Sequence, residues 1–296
     1  MNKDIVLTKI RLSVFDLLRI IAISLIFLSH LQYFFNFNIF LFGQAAGTWI
    51  FHVFFLSLGN IGVILFIFIS GAVLELNKKP INTVTDYLKY MYFRLIRIYP
   101  AYWMSLISVA IFYLILGLDL GNLFWQFSGF SAFVNQWGGV LNPVGWFIGL
   151  LISLYLLFPF LSEAIEKKPE LVILLLFLIS FALTYLINAT CNSAVFGPYS
   201  IYIARWFPFC YLFYFGIGIF IAQKGYYPGW HDKTGIITWL GKLSFYVFLF
   251  QLPVIYLAMY MKNPVFLLLI APVSIIVMKI DDKIQILLKK LASSFF

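Results

Sequence analysis

Eight long apolar stretches, near residues 12–35, 49–75, 100–118, 144–162, 170–188, 206–222, 236–260 and 264–280, take up more than half of this 296-residue chain. Each approaches the roughly 20 residues that an α-helix needs to cross about 30 Å of hydrocarbon at about 1.5 Å per residue. In lipid every backbone N–H and C=O must be paired within the protein, and a helix does so within one segment. The expected fold is therefore all-α: a polytopic transmembrane bundle of about 8–10 spans, built as one membrane domain over residues 1–296. The composition excludes the alternatives. Hydrophobic residues make up 63% and charged residues 10%, against about 45–50% and about 25% in soluble domains. With 35 Phe, the chain cannot stay solvated as a disordered one does.

The charges test this count independently. Lys78, Lys79, Lys89, Arg94 and Arg97 fall in one interhelix loop, Lys167 and Lys168 in another, and Lys224 and Lys233 in a third. Lys242 lies on the same side. Lys3, Lys9 and Arg11 precede the first stretch, and Lys279, Lys283, Lys289 and Lys290 follow the last. The intervening loops, 36–48, 119–143 and 189–200, hold no Lys or Arg, which leaves only Arg205 and Lys262 on their side. Cytoplasmic loops concentrate Lys and Arg, so eight spans place both termini in the cytoplasm. The net charge of +9 then belongs to the membrane surface, with no nucleic-acid partner implied. The first stretch is too long for a signal-peptide core and lacks a cleavage site, so it stays as a span. The Phe- and Trp-rich segment 123–137 is broken by Gly and polar residues; it reads as interfacial, re-entrant or a ninth short helix. Segment 86–98 mixes basic and aromatic residues before Pro100, which predicts a helix lying in the interface and ending there. The tail 281–291 has a weaker form of the same pattern.

Polar residues inside spans are where chemistry resides. The first span contains Asp16, Arg19 and His30. Asp16 and Arg19 are three apart and can pair. Arg19 and His30 are eleven apart, which returns to within about 20° of the same face, about 16 Å further along the axis. That stripe predicts a polar cavity on one side of the helix. His52 reads as an interfacial histidine and His231 as a solvated one. Gln251, an isolated amide, either ties two helices together or meets substrate. Arg205 anchors a headgroup or meets an acidic saccharide. The two cysteines sit in no CxxC setting, so neither a disulfide framework nor a thiolate metal site is expected. The remaining aromatic residues match lipid-facing helices and aromatic belts, and no site is drawn from them.

Five blocks, in order, resemble the acyltransferase-3 family of integral membrane acyltransferases. They are the Arg19-x10-His30 spacing led in by Asp16, and Gly62-Val63-Ile64-Leu65-Phe66-Ile67-Phe68-Ile69-Ser70-Gly71. Arg94-Leu95-Ile96-Arg97-Ile98-Tyr99-Pro100 follows, then Trp146-Phe147-Ile148 with Tyr155 and Pro159, then Leu240-Gly241-Lys242-Leu243-Ser244. The chain departs from the family twice. Leu151 and Ile152 stand where many members carry an acid, and Gln251 stands where the late span usually has His before its Pro.

The resemblance implies an O-acyltransferase that takes an acyl group, most often acetyl, from a cytoplasmic donor such as acyl-CoA to a hydroxyl of a surface saccharide. No tightly bound cofactor is expected. The implied catalytic residues are His30 and Arg19. Arg94 and Arg97 would bind the donor, with Asp16, Ser70, Trp146 and Gln251 in support. Partners would be membrane lipids, the saccharide acceptor and an extracytoplasmic transferase or polysaccharide-assembly protein. The chemistry agrees: transfer from a thioester to a hydroxyl needs a base, donors for the oxyanion and cations for the carrier's phosphates. His30 supplies a base whose ordinary pKa is near neutral, and two arginines one turn apart can grip phosphates, although basic residues there also attract anionic lipids. The competing reading is a non-catalytic or transport-type protein of polysaccharide export or assembly, favoured by Gln251 and the missing acid. The expected location is the cell membrane.

Overall fold

The computed structural model describes residues 12–36, 49–117, 119–121, 123–131, 141–191 and 207–295, and their regular structure is all helix. Among the described residues, nine α-helices follow one another: α1 Ser13–Phe35, α2 Trp49–Leu76, α3 Val84–Ile115, α4 Leu123–Ser128, α5 Gly145–Lys167, α6 Pro169–Cys191, α7 Leu212–Lys224, α8 Ile236–Tyr260 and α9 Ile270–Phe295. Short 3-10 turns, Pro208–Tyr211 and Pro264–Leu269, lead into α7 and α9. Seven of the helices are long and apolar enough to cross a membrane, and the protein is a multi-pass membrane protein.

The eighth expected span is the short helix Pro208–Lys224. Its 3-10 turn rises about 2 Å per residue, so the whole reaches about 28 Å, close to a hydrocarbon thickness. Among the described helices, packing direction agrees with its counting as a crossing. Asp16 of α1 lies against Gly241 of α8, and further along both helices Phe34 meets Tyr256 with ring centroids 5.6 Å apart. The two helices therefore run parallel. With α4 too short to span, α8 is the seventh crossing only if α7 is the sixth, and odd crossings share a direction. Ser13 at the start of α1 accepts from the backbone N–H of Asp232 at 2.6 Å. Asp282 of α9 holds Lys242 near the start of α8, so the described ends of the chain lie at one face.

Glycines set the helix contacts. A Cβ on Gly218 of α7 would lie 2.1 Å from the Phe68 carbonyl oxygen, and one on Gly71 of α2 would lie 2.2 Å from that of Phe215. These backbones cross in direct contact, as small residues permit in membrane bundles. Ser70-Gly71 is thus mid-helix. Gly62 meets Ala22 and Ile26 of α1 in the same way. One apolar core runs through Ile67, Tyr102, Leu154, Phe215 and Leu249.

Two local expectations are corrected. Segment 86–98 is not a separate interfacial helix ending at Pro100, for α3 runs unbroken from Val84 to Ile115 through that proline. A capping box starts it, with the Thr83 side chain accepting from the Asp86 N–H and Asp86 accepting from Thr83. Burial of Met91, Ile96, Ile98 and Pro100 keeps it helical, since neighbouring helices compensate an intramembrane proline. At about 48 Å, α3 extends past the hydrocarbon at its basic end. The tail 281–291 likewise continues α9. Segment 123–137 is described only in part: α4 has six residues and cannot span. Tyr99, Tyr102 and Trp103 of α3 donate to the carbonyls of Ser128, Gln126 and Phe127 at 2.6, 2.6 and 2.8 Å. They satisfy the last carbonyls of α4 and fix it to the bundle. In the basic-face loop Asp232 accepts from the N–H groups of Ile237 and Thr238 at the start of α8. The Thr234 hydroxyl and these backbone donors hold its carboxyl below the usual range.

Candidate functional site

One side of α1 faces the bundle and the other does not. Asp16, Ala22, Ile23, Ile26 and Ser29 are buried, while Leu17 and Ile21 on the opposite side are exposed. Arg19 pairs with the fully buried Asp16 at 2.5 Å. The partner surface is Gly241: a Cβ there would come within 2.5 Å of the Asp16 Cβ. The glycine of the late block lets α8 close over Asp16, while Arg19 stays partly exposed.

Three and a half turns further along α1, His30 meets Gln251, the amide of α8. Nδ1 of His30 and Oε1 of Gln251 are both buried with no hydrogen-bond partner in the protein. The Gln251 amide nitrogen makes only a long contact, 3.4 Å, to the Phe248 carbonyl. Beside it the rings of Phe66, Phe147 and Phe248 pack together, with centroids 5.1 to 6.2 Å apart. An imidazole and an amide thus face one another against an aromatic wall, each with an unused polar atom. Buried polar atoms are nearly always paired, so these two atoms mark the pair as a candidate site.

The two arginines of α3 part company. Arg97 is exposed. Arg94 turns into the α3–α5 interface, its guanidinium carbon 5.4 Å from the centre of the Tyr90 ring. Tyr155 of α5 lies close to it, and its Nε is buried without a partner. The Tyr90 hydroxyl donates to the Tyr155 carbonyl at 3.0 Å and fixes the ring that the cation rests on.

A family model described as an acyltransferase domain, that of the acyltransferase-3 family, matches residues 12–229. The chain belongs to the acyltransferase-3 family. No curated protein and no solved structure matches it. The match covers α1 to α7, and with it the membrane architecture and an acyltransferase assignment. The late block around Gly241 and Gln251 lies beyond the matched residues, but the bundle returns it to α1.

The other expected site residues are placed as follows. Ser70 donates to the Phe66 carbonyl within α2 at 2.8 Å. Trp146 is half-buried at the start of α5, edge-on to Phe147. Leu151 and Ile152, where an acid was expected by resemblance, are buried in the apolar core. Arg205 and the side chain of His52 lie outside the described residues, as do the loops 37–48 and 192–206.

Sequence reasoning missed one buried acid. Asp281 of α9 is fully buried and accepts from the Tyr246 hydroxyl and the Gln285 amide, both at 2.6 Å. Neighbouring Asp282 takes Lys242 with both oxygens. Placing 281–291 at the interface hid Asp281; its spacing from Ser274, also buried, by seven residues was the available signal. The buried Asn142, which donates to Ser105 and to the Leu249 carbonyl, gave no periodic signal because it lies between helices.

Proposed function

We propose that this protein is an O-acyltransferase of the cell membrane that moves an acyl group, acetyl being the expected one, from cytoplasmic acyl-CoA to a hydroxyl of a surface saccharide. The His30–Gln251 pair carries this reading. The acceptor oxygen attacks the thioester carbonyl carbon, a C–O bond forms and the C–S bond breaks. His30 takes the hydroxyl proton and returns it to the departing thiolate, so no further reactant is consumed. The Gln251 amide is the nearby donor for the developing oxyanion. An imidazole nitrogen free of protein partners is the state a general base requires.

Arg94 supports the donor side. Its cation, laid on Tyr90 and with an unpaired buried Nε, suits a phosphate group of the donor. Asp16 and Arg19, closed under Gly241, brace α1 between the basic face and His30, and Arg19 orders the inner part of the cavity. Ser70 and Trp146 support the wall from α2 and α5. A partner beyond the membrane would complete transfer onto long polymers.

The test is mass spectrometry of surface glycans from cells with and without the protein, coupled to transfer of label from [14C]acetyl-CoA in membrane vesicles. The expected result is loss of glycan O-acyl groups together with loss of label transfer. Unchanged glycan acylation and no label transfer would contradict the reading.

A further inference from the structure

One turn beyond His30, the far ends of three helices bring aromatic side chains together. Phe34 follows His30 by four residues and lies about 6 Å further along α1; Tyr256 follows Gln251 by five and lies about 7.5 Å further along α8. Their rings meet edge to face at 5.6 Å. Tyr33 packs on Phe34 at 4.9 Å. Tyr256 is close enough to Tyr33 and to Tyr113 of α3 for their hydroxyls to interact electrostatically. At the rim, Phe112 and Tyr260 make a further edge contact at 5.5 Å. Tyrosines of an ordinary aromatic belt stand apart and face headgroups. Tyr185 of α6, 73% exposed among leucines and phenylalanines, is of that kind. Tyr33, Tyr113 and Tyr256 instead come together from three helices, Tyr33 and Tyr256 about one turn beyond His30 and Gln251, at the end opposite the basic loops.

We infer that the Tyr33–Phe34–Tyr113–Tyr256 arc is the acceptor subsite and takes a pyranose ring. The inference rests on the acyltransferase reading and names the group that its site receives. A sugar ring has an apolar C–H face and a rim of hydroxyls. Tyrosine matches both, with a ring for the face and an O–H for the rim. Tyr33, 68% exposed, offers its face at the mouth, while half-buried Tyr256 reaches inward. A ring held there points a hydroxyl down one helical turn to the imidazole. The four side chains named here carry no charge, which suits a neutral hydroxylated ring.

The test measures label transfer from [14C]acetyl-CoA to extracted surface glycan by the full-length protein in vesicles, with KM taken for each substrate. Tyr256→Phe removes one hydroxyl and keeps the ring; loss of one hydrogen bond raises the acceptor KM about 2- to 10-fold. Tyr33→Ala, at a site too exposed to unsettle the fold, raises it to a similar extent, and Tyr33→Trp restores it. The KM for acetyl-CoA stays constant in all three, and Tyr185→Ala changes neither constant. An acceptor KM unmoved by Tyr33→Ala and Tyr256→Phe, with wild-type transfer intact, overturns the subsite and leaves the enzyme standing. Equal effects of Tyr33→Ala and Tyr185→Ala overturn it in favour of an aromatic belt. No transfer by the wild-type protein overturns both the enzyme reading and this one.

Discussion

Arg94 and Arg97 show how far residue type and spacing carry an argument and where they stop. Sequence placed two cations one turn apart, a pair suited to gripping phosphate. The structure separates them, because a three-residue step rotates the side chain by about 60° and Tyr90 stands where only Arg94 can lie over it. Arg94→Lys in vesicles should therefore raise the acetyl-CoA KM by about 10- to 150-fold, the effect of about 1.5–3 kcal/mol for a charged hydrogen bond. The point charge of lysine replaces neither the stacking nor the fork. Arg97→Lys should have a much smaller effect, and the acceptor KM should hold in both. Gln251 was ambiguous for a related reason. An amide in an apolar run reads as a helix tie until its partner is known, and that partner, His30, lies 221 positions away in sequence.

At the scale of elements, helices were legible because apolar length is a one-dimensional property. Seven of the eight expected spans correspond to helices long and apolar enough to cross, and the eighth to the short apolar helix Pro208–Lys224. The miss at 86–98 arose because Pro100 was weighed as a breaker, whereas burial against other helices overrides that local preference. Which helices touch was not legible, since contact depends on glycines whose partners are remote. Gly71 and Gly218 make the closest crossing, α2 on α7, where a side chain would strike backbone. Gly218→Val should lower the thermal unfolding midpoint in detergent, with overpacking of about 1–3 kcal/mol or more. Gly229→Ala, at a position with open space around it, should leave the midpoint in place. Equal midpoints for the two variants would contradict the crossing as described.

For the whole molecule, the parallel packing of α1 with α8 turns a count into a topology: eight crossings with both described ends at one face. The basic residues lie toward that face, and the expectation from the positive-inside rule is that it faces the cytoplasm. Reporter fusions at residues 40, 130 and 195 should then face outside, and those at 83 and 228 inside. Cytoplasmic signals from two of the three Lys- and Arg-free loops would contradict it. On the proposed reading, the donor would enter from the face that carries the basic residues and the acceptor from the aromatic end, with His30 between them.

His30 is accordingly where the account is most exposed. The decisive measurement is label transfer from [14C]acetyl-CoA to surface glycan in vesicles carrying His30→Ala or His30→Gln, with insertion and amount verified for each. Neither replacement adds charge to the membrane, so both proteins should insert as wild type does. Transfer should fall by about 10²–10⁴-fold, the contribution of a positioned general base. Transfer at the wild-type rate by a normally inserted His30→Ala protein would contradict the account.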